Sequence, residues 1–486
     1  MQNELQNLLE AHHEWLLIDA AGKSFALRKT EFELSFERGK MLFGFVDDKG
    51  FQTWRVASLR TKADEILLNL TRNFERDWTN VRLVPRALAK DLSASVELAR
   101  LEKANGIARL ITGQFPRARL VRASLNKENG RFAQIVFEDL RKLQTAALGD
   151  VSESLTPEIM ISAALLWLTR LARRKRNPVD TIWLLAETAP AKKLQKLHAL
   201  LRDAWKSKII IKEISRKDLS GQSEDAIKDL PALKISDLWR GKARRSQPAE
   251  EPQPSGAALG IIELAPGAID VVFSRRGETL RFNGLPFARV RKVLGREKVW
   301  FGVENRQPLT ADNAEEFAEL IENLRVFRAA DSPNKRHAFY RLAPEAWLEA
   351  GLRRNIRLLD ANLILAPLYH QFRTGRERVD LLALRRDGRL VIIELKTEAD
   401  RAAPFQLAGY WRSVERERRC GNLRNARLFG ELEIAAAPAI CYLVAPTLAF
   451  HRDFEFLAGA LSEEIEIHRF NLAENWRARL KVLERR

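Results

Sequence analysis

Apolar residues in the first ninety positions form short runs separated by turn residues. Runs of about four to eight such residues between turn signals predict strands. We therefore expect a β-rich unit over residues 1–90 that ends with one helix. The predicted strands are Trp15–Asp19, Ser24–Leu27, Met41–Val46 and Gln52–Leu59, with turns at Gly22 and at Asp48-Lys49-Gly50 and a helix over Thr61–Asn73.

From about residue 91 the pattern changes to alternating strands and helices, which predicts an α/β domain over residues 91–215. Residues 216–257 are rich in Pro, Ser and Glu apart from the apolar island Leu230–Leu238, and they predict a linker. The predicted elements of the α/β domain are a hairpin of Arg119–Ser124 and Arg131–Phe137, helix Pro157–Arg174, strand Thr181–Ala186, helix Ala191–Ala204 and strand Lys208–Ile214.

Residues 258–337 predict a second β-rich unit, which is basic and contains one helix. Its arginines could follow phosphate groups, or they could simply occupy exposed positions on a soluble surface. The predicted strands are Ala258–Leu264, Ala268–Phe273, Thr279–Phe282 and Val299–Val303, the helix is Asn313–Leu324, and the basic residues are Arg275, Arg276, Arg281, Arg289, Arg291 and Lys292.

Residues 338–486 repeat the order of the α/β domain, with a hairpin followed by helix, strand, helix and strand. The predicted fold class is therefore a multidomain α/β protein whose last unit is a mixed central sheet flanked by helices. The repeat indicates an internal duplication, although such alternation is common in α/β proteins. Superposing Gly130 on Gly388 would place Arg122, Val136 and Glu138 at the positions of Asp380, Glu394 and Lys396. The first copy would then lack the metal ligands and would be a nuclease-like core without catalytic activity.

The most informative segment is the hairpin of Leu381–Leu384 and Leu390–Leu395. A three-residue loop ending in Gly388 would place Asp380 directly opposite Glu394. Lys396, two residues beyond Glu394, would share the same face of the sheet. A two-residue turn would shift the pairing by one and send the two carboxylates to opposite faces. A shared site therefore requires the longer loop.

Two carboxylates that face each other in an apolar sheet repel each other and are costly to desolvate. A divalent cation would relieve this, and Mg²⁺ is usually held by one or two carboxylates plus substrate phosphate. The plain alternative is a strand that ends in a surface ion pair between Glu394 and Lys396. The helix predicted over residues 403–419 adds Gln406 and Tyr410, which are four positions apart and share one face.

This arrangement resembles the PD-(D/E)XK nuclease superfamily, in particular its RecB-like branch, in which a Gln-x-x-x-Tyr helix follows the Glu-x-Lys strand. Parts of the segment, including PEAWLEA, Tyr369-x-Gln371 and Tyr410-Trp411, also look like an uncharacterised bacterial protein family. The resemblance implies a C-terminal restriction-endonuclease-like core with a bound Mg²⁺ or Mn²⁺. It also implies a further glutamate on the first helix of that core, which we place over Pro344–Leu359.

The resemblance assigns roles to individual residues. Glu349 is the preferred helix glutamate because of its apolar flanks, and Glu345 is the second choice. Metal binding would fall to Glu349, Asp380 and Glu394, and Lys396 would assist the attacking water. Gln406 and Tyr410 would orient water or phosphate, which completes the predicted catalytic set of Glu349, Asp380, Glu394, Lys396, Gln406 and Tyr410.

The overall charge suits a polyanionic partner such as DNA. The chain has 82 Lys and Arg against 64 Asp and Glu, a net charge of +18. Residues 341–486 contain 25 basic and 20 acidic residues, so most of the excess lies upstream. If binding is electrostatic, we expect the earlier domains to contribute. The alternative is a solvated basic surface without a partner.

Several function classes lack sequence support. The sequence contains neither the Gly-x-x-x-x-Gly-Lys-Ser/Thr loop typical of ATPases nor the Gly-x-Ser-x-Gly elbow typical of serine hydrolases. Two cysteines provide neither a disulfide framework nor a zinc site, and no apolar run is long enough to cross a membrane. We expect a cytoplasmic, Mg²⁺-dependent deoxyribonuclease. A non-catalytic nucleic-acid-binding or scaffold protein on a nuclease fold, and a ribonuclease of the same fold, are the alternatives.

Overall fold

The computed structural model of the chain describes residues 8–486 apart from positions 13, 20–23, 38, 48–49, 63–64, 73–76, 87–88, 153–155, 216–226, 241–251, 275–276, 294 and 367–378. Within these residues, four sheets follow one another along the sequence. Two are antiparallel and two are mixed sheets flanked by helices. The predicted multidomain α/β architecture is confirmed at this level.

The first sheet has seven strands, all paired antiparallel, in the order β2-β1-β7-β6-β5-β4-β3. The helix predicted over Thr61–Asn73 is wrong, because Ile66, Leu68 and Leu70 are buried at every second position and therefore form one face of a strand. The strands are β1 (Glu14–Asp19), β2 (Ser24–Arg28), β3 (Phe32–Glu37), β4 (Lys40–Asp47), β5 (Gly50–Lys62), β6 (Glu65–Arg72) and β7 (Asp77–Pro85).

The second sheet is mixed, with the order β13-β12-β11-β10-β9-β8. Strands β8 to β10 are mutually antiparallel, β10 to β12 are parallel, and β13 is antiparallel to β12. Its edge strand β13 lies inside the segment expected to be a linker. The elements are α1 (Ala89–Gln114), β8 (Arg119–Leu125), β9 (Phe132–Glu138), β10 (Gln144–Asp150), α2 (Pro157–Ala172), β11 (Ile182–Ala186), α3 (Thr188–His198), α4 (Asp203–Lys206), β12 (Ile209–Ile214) and β13 (Ile227–Asp229).

The third sheet is antiparallel and lies in the unit predicted to be β-rich with one helix. The strand predicted over Ala258–Leu264 is wrong: this segment is a second helix, whose start is capped by Ser255 accepting a hydrogen bond from the backbone N–H of Ala258. The elements are α5 (Gly256–Glu263), β14 (Ile269–Ser274), β15 (Gly277–Phe282), β16 (Leu285–Val293), β17 (Arg296–Phe301), β18 (Gln307–Pro308) and α6 (Ala314–Phe327).

The fourth sheet follows the chain order from β19 to β24. Strands β19 to β21 are antiparallel, β21 to β23 are parallel, and β24 is antiparallel to β23. The elements are α7 (Ala338–Arg341), α8 (Pro344–Arg354), β19 (Leu363–Leu365), β20 (Leu381–Arg385), β21 (Leu390–Leu395), α9 (Ala403–Arg419), α10 (Asn422–Asn425), β22 (Ile440–Pro446), α11 (Phe454–Ala458), β23 (Ile467–Leu472) and β24 (Val482–Arg485).

The second and fourth sheets have the same strand order and the same strand directions. A single apolar core lies between them, formed by one face of each sheet and by the helices α2 and α9 that cover these faces. The opposite face of the second sheet packs against α1, and the opposite face of the fourth sheet packs against α8. Sheet, helices, helices and sheet therefore form successive layers.

The equivalent hairpins of the two mixed sheets are β9–β10 and β20–β21. Each has a three-residue loop whose last residue is left-handed, Lys142 at φ 61° and Gly388 at φ 82°. The predicted superposition of Gly130 on Gly388 is wrong, because Gly130 lies one hairpin earlier, between β8 and β9. Aligning the two loops instead places the following first-half residues at the positions of Asp380, Glu394 and Lys396: Gln134, Leu148 and Asp150.

Within the described part of the chain, no helix combines the length and the apolar character needed to cross a membrane.

Candidate active site

The β20–β21 hairpin brings Asp380 opposite Glu394. Leu381 pairs with Ile393, Leu384 pairs with Leu390, and continuing this register by one residue joins Asp380 to Glu394. The backbone N–H of Leu395 donates to Asp380 Oδ2 at 2.9 Å, which fixes the carboxylate against the neighbouring strand. The register required for a shared site is therefore confirmed.

The loop of this hairpin determines which residues of the two strands face each other. Arg385 N–H donates to the Arg389 carbonyl at 2.8 Å, and Gly388 N–H donates to the Arg385 carbonyl at 2.8 Å. Gly388 has φ 82°, and a side chain there would also crowd the Glu433 carbonyl. Arg386, Asp387 and Gly388 therefore form a three-residue loop between the paired residues Arg385 and Arg389, as the sequence predicted.

Glu394 is the most deeply buried acid of the hairpin, with 3% of its surface exposed. Its Oε1 lies 2.9 Å from Lys396 Nζ. Its other oxygen, Oε2, is buried and accepts no hydrogen bond from the described residues. Such a buried, unpartnered carboxylate oxygen is energetically costly unless a cation or a proton occupies it.

The electrostatics of the site follow from burial and crowding. Burial raises the pKa of Glu394 well above its usual value, and the Asp380 carboxylate raises it further. Burial also raises the pKa values of Asp380 and of Glu345. Burial alone would lower the pKa of Lys396, but the Glu394 carboxylate beside it raises that pKa above its usual value. The acids therefore favour protonation or a bound cation, and Lys396 favours its charged form.

Helix α8 presents both of its glutamates to this region. Glu345 lies near Lys396 and Asp380, which both act on its pKa, and it accepts a hydrogen bond from the backbone of Thr397. Glu349 is 4% exposed and lies close enough to Asp380 to raise the pKa of Asp380. The two glutamates are one turn apart and both border the same cleft.

Glu349 has a second partner that comes from the preceding unit. Each of its carboxylate oxygens lies 3.3 Å from Nη1 of Arg281 on β15. Arg281 also donates to Asp270 Oδ2 at 2.6 Å, and it is only 4% exposed. Glu349 is therefore held by an arginine, whereas Glu345 points its carboxylate toward the Lys396 side of the site.

The cleft between α8 and the end of the hairpin has a volume of about 500 Å³. Carboxylates dominate its polar lining, so a cation or a cation-bridged phosphate fits its charge better than a free anion does. Its lining includes Pro344, Glu345, Glu349, Asp380, Thr397 and Glu398.

Gln406 and Tyr410 lie on α9, which covers the face of the sheet that carries Leu382 and Ile392. By strand alternation, Glu394 belongs to that same face, whereas Asp380 precedes β20 and lines the cleft beside α8. Gln406 Oε1 is buried and accepts no hydrogen bond from the described residues. Tyr410 packs against the apolar core between the two mixed sheets. Gln406 is thus the residue of this pair with unused hydrogen-bonding capacity.

The described residues include no group of three or more His, Cys, Asp or Glu side chains that could hold a metal ion. The pair Asp380 and Glu394 nevertheless fits a hard cation, because Glu394 Oε2 has no hydrogen-bond partner in the part of the chain that the structure describes, and Mg²⁺ retains several waters. The predicted residues Tyr369 and Gln371 lie outside the described residues.

Arg281 is the residue of this region whose role the sequence analysis missed. It was counted as one of several surface arginines of the basic unit. A signal was present, because Arg281 lies between Leu280 and Phe282 in a strand, and all three residues are buried. An arginine in such a position requires a carboxylate partner.

No family model matches the chain, and no curated protein matches it. Among solved structures, the chain is similar to EndoMS in its apo form, with 11% sequence identity over 40% of this chain and 90% of that chain, and a TM-score of 0.14. A likeness at this level carries no argument about the fold or the function of the chain.

Proposed function

We propose that the chain is a divalent-metal-dependent nuclease of the PD-(D/E)XK type that hydrolyses DNA. The observation that carries this proposal is that Asp380 and Glu394 lie next to the paired residues Leu381 and Ile393, at the same end of the hairpin, with Lys396 bonded to Glu394. The order of α8, three antiparallel strands, α9 and a parallel fourth strand supports the proposal, because it is the core that the resemblance implies.

The chain's own side chains have distinct proposed tasks. Asp380 and Glu394 would hold Mg²⁺ or Mn²⁺, together with one glutamate of α8, either Glu349 or Glu345. A bound cation supplies polarisation of the phosphoryl oxygen and a lower pKa for its water. The charged Lys396 would hold the attacking water or offset charge on the phosphate, and Gln406 and Tyr410 would orient water or phosphate.

The proposed reaction consumes one water for each bond cleaved. The water oxygen adds to phosphorus while one P–O ester bond breaks. The products are a phosphomonoester and a hydroxyl group: one proton of the water ends on the leaving oxygen, and the other passes to solvent. DNA is the proposed partner because of the basic charge of the chain, and the cytoplasm is the proposed location.

A second candidate is a non-catalytic nucleic-acid-binding protein on the same fold. The observation that favours it is the bond between Glu349 and Arg281, which engages one carboxylate of the predicted metal set with an arginine. A ribonuclease of the same fold is the third candidate, since the site chemistry does not distinguish the two nucleic acids.

The deciding experiment uses the purified full chain with single-stranded DNA, duplex DNA and RNA, in Mg²⁺, Mn²⁺ or EDTA. We expect metal-dependent cleavage of DNA that is lost in Asp380→Asn. The matched control is Asp387→Asn, which removes an exposed aspartate of the same hairpin, bonded to Arg385. Binding without cleavage by the wild type would favour the non-catalytic candidate, and cleavage of RNA alone would favour the ribonuclease.

A further inference from the structure

The two mixed sheets meet in a reciprocal backbone contact. Leu201, just before α4 and β12, forms an antiparallel bridge with Leu461, just before β23. Arg202 N–H donates to the Ala460 carbonyl at 2.9 Å, and Ser462 N–H donates to the Leu200 carbonyl at 2.7 Å. Each half therefore gives the other the same hydrogen bond, from equivalent positions.

Any antiparallel bridge exchanges hydrogen bonds in both directions, but here the exchanging residues occupy equivalent positions in the two halves, as in a two-fold interface where residue i contacts j and residue j contacts i. Leu201 and Leu461 are equivalent in the two sheets, and their neighbours exchange partners across the contact. Helices α2 and α9, which are also equivalent, pack in the shared core. The chain is thus arranged as an internal pseudo-dimer of two halves, 89–240 and 338–486.

We call the carboxyl ends of β10 and β21 the site ends of the two halves. Both site ends lie on the same side of the molecule. Glu128, in the turn between β8 and β9, forms an ion pair with Arg401, in the segment between β21 and α9. The β8–β9 turn lies at the end of β10, because Val151 N–H donates to the Arg131 carbonyl at 3.0 Å. Arg401 follows Lys396 at the corresponding end of the fourth sheet. The two sites of the pseudo-dimer are therefore neighbours.

Only one of these sites has the residues for hydrolysis. In the first half, the neutral residues Gln134 and Leu148 occupy the positions of Asp380 and Glu394. Asp150 replaces Lys396, and its carboxylate accepts a hydrogen bond from the Ser152 hydroxyl at 2.7 Å. A cation and an attacking water have no equivalent place there.

We propose that the two halves straddle one DNA duplex and that the chain cuts a single strand of it, leaving a nick. This inference rests on the proposed function. The two strands of a duplex are related by two-fold axes, so a two-fold protein presents one half to each strand. The half with Asp380 and Glu394 hydrolyses one P–O bond with one water. The other half holds the opposite strand, with Lys127 and Arg131 in the turn at its site end.

The first test follows the products from supercoiled plasmid and from a duplex oligonucleotide labelled on either strand, with the full chain and Mg²⁺. We expect open circles to accumulate without paired breaks, and one cut per duplex molecule. Linear plasmid formed by paired cuts would overturn the inference while leaving the nuclease proposal intact. No cleavage with any metal would remove the proposed function and this inference with it.

The second test asks whether the first half, residues 89–240, binds the duplex. The double variant Lys127→Glu, Arg131→Glu is expected to lower duplex affinity by about tenfold or more, and to weaken its salt dependence, because contacts to phosphates are lost. The matched control reverses the charges of Arg174 and Arg176, which are exposed just beyond the C-terminal end of α2. Equal loss in both variants, or none in the first, would show that this end does not hold the duplex.

Discussion

Gly284 lies directly against the backbone of Ala346 in helix α8. It occupies the turn between β15 and β16 with φ 80°, and a Cβ at this position would overlap the Ala346 carbonyl oxygen. The buried Arg328 joins the same two segments, because its Nη2 donates to the carbonyl oxygens of Asn283 at 3.0 Å and Ala343 at 3.2 Å. The third unit therefore fixes the start of the helix that carries Glu345 and Glu349.

This contact leads to a prediction for Gly284→Ala. The added methyl group should push α8 away from the turn and lower the free energy of unfolding by about 1–3 kcal/mol beyond the backbone strain. Cleavage should fall as well, because both helix glutamates move with α8. Thermal melting and the cleavage rate measure the two effects.

The control for this prediction is Gly295→Ala. Gly295 also has a left-handed backbone, with φ 78°, but a Cβ there meets no atom within 4 Å. It therefore carries the conformational strain without the collision. If the two variants melt at the same temperature and cleave equally fast, the close approach of Gly284 to α8 has no consequence.

The two glutamates of α8 are expected to separate into a structural and a catalytic role. Glu349→Gln leaves Arg281 with Asp270 as its remaining carboxylate, so we expect stability to fall by about 1–3 kcal/mol. Glu345→Gln should keep stability and reduce cleavage, since Glu345 lies near Lys396 and Asp380. Urea unfolding and single-turnover cleavage on both variants provide the measurement.

A double variant makes this assignment sharper. Arg281→Met with Glu349→Gln removes both charges of the buried pair and should recover part of the stability lost in Arg281→Met alone, which strands a buried carboxylate. If Glu349→Gln instead abolishes cleavage at unchanged stability, Glu349 is the metal ligand that the sequence first indicated.

Glu394→Gln should stabilise the metal-free protein at neutral pH. Burial raises the pKa of Glu394, so the folded state retains a proton that the unfolded state has released. Stability is therefore full at low pH and declines as pH rises through the usual pKa of a glutamate toward the raised value. The glutamine variant lacks this decline, so its advantage in melting temperature should grow as the pH rises above about 4, the usual pKa of a glutamate.

Bound Mg²⁺ should make the wild type more stable than Glu394→Gln. Mg²⁺ binding to the folded state raises the melting temperature of the wild type by mass action, and it should raise that of Glu394→Gln much less. Glu398→Gln is the control, because Glu398 lines the same cleft but is exposed. A Mg²⁺ response that is equal in all three proteins would place the cation elsewhere.

The local geometry of the hairpin could be predicted from sequence because few residues determine it. Two apolar runs and Gly388 fix the loop length, and the loop length fixes the partner of Asp380. The role of Arg281 could not be predicted in the same way, since its partner Glu349 lies 68 positions away in another unit. Residues of such separation meet only through tertiary packing.

The missed elements have local explanations. Strand β10 reads QTAALGD, and its alanines and glycine have low strand propensity, so pairing on both sides decides its conformation. Strand β13 is only three residues long and lies in a polar segment. Without β10 the equivalent hairpin of the first half could not be identified, which is why the superposition on Gly130 failed.

The shared core predicts that residues 338–486 do not fold as an isolated fragment. Trp411 of α9 is fully buried, and its ring lies 5.6 Å from that of Trp239, which belongs to the first half. Removing residues 1–337 would expose this face of α9 and would also leave Glu349 without Arg281. We expect the fragment to aggregate or to lack a cooperative melting transition, whereas the full chain melts cooperatively. Co-expression with residues 89–337 should restore a soluble complex, detectable by gel filtration. A fragment that is monomeric, cooperatively folded and as active as the full chain would show that the two halves are independent domains.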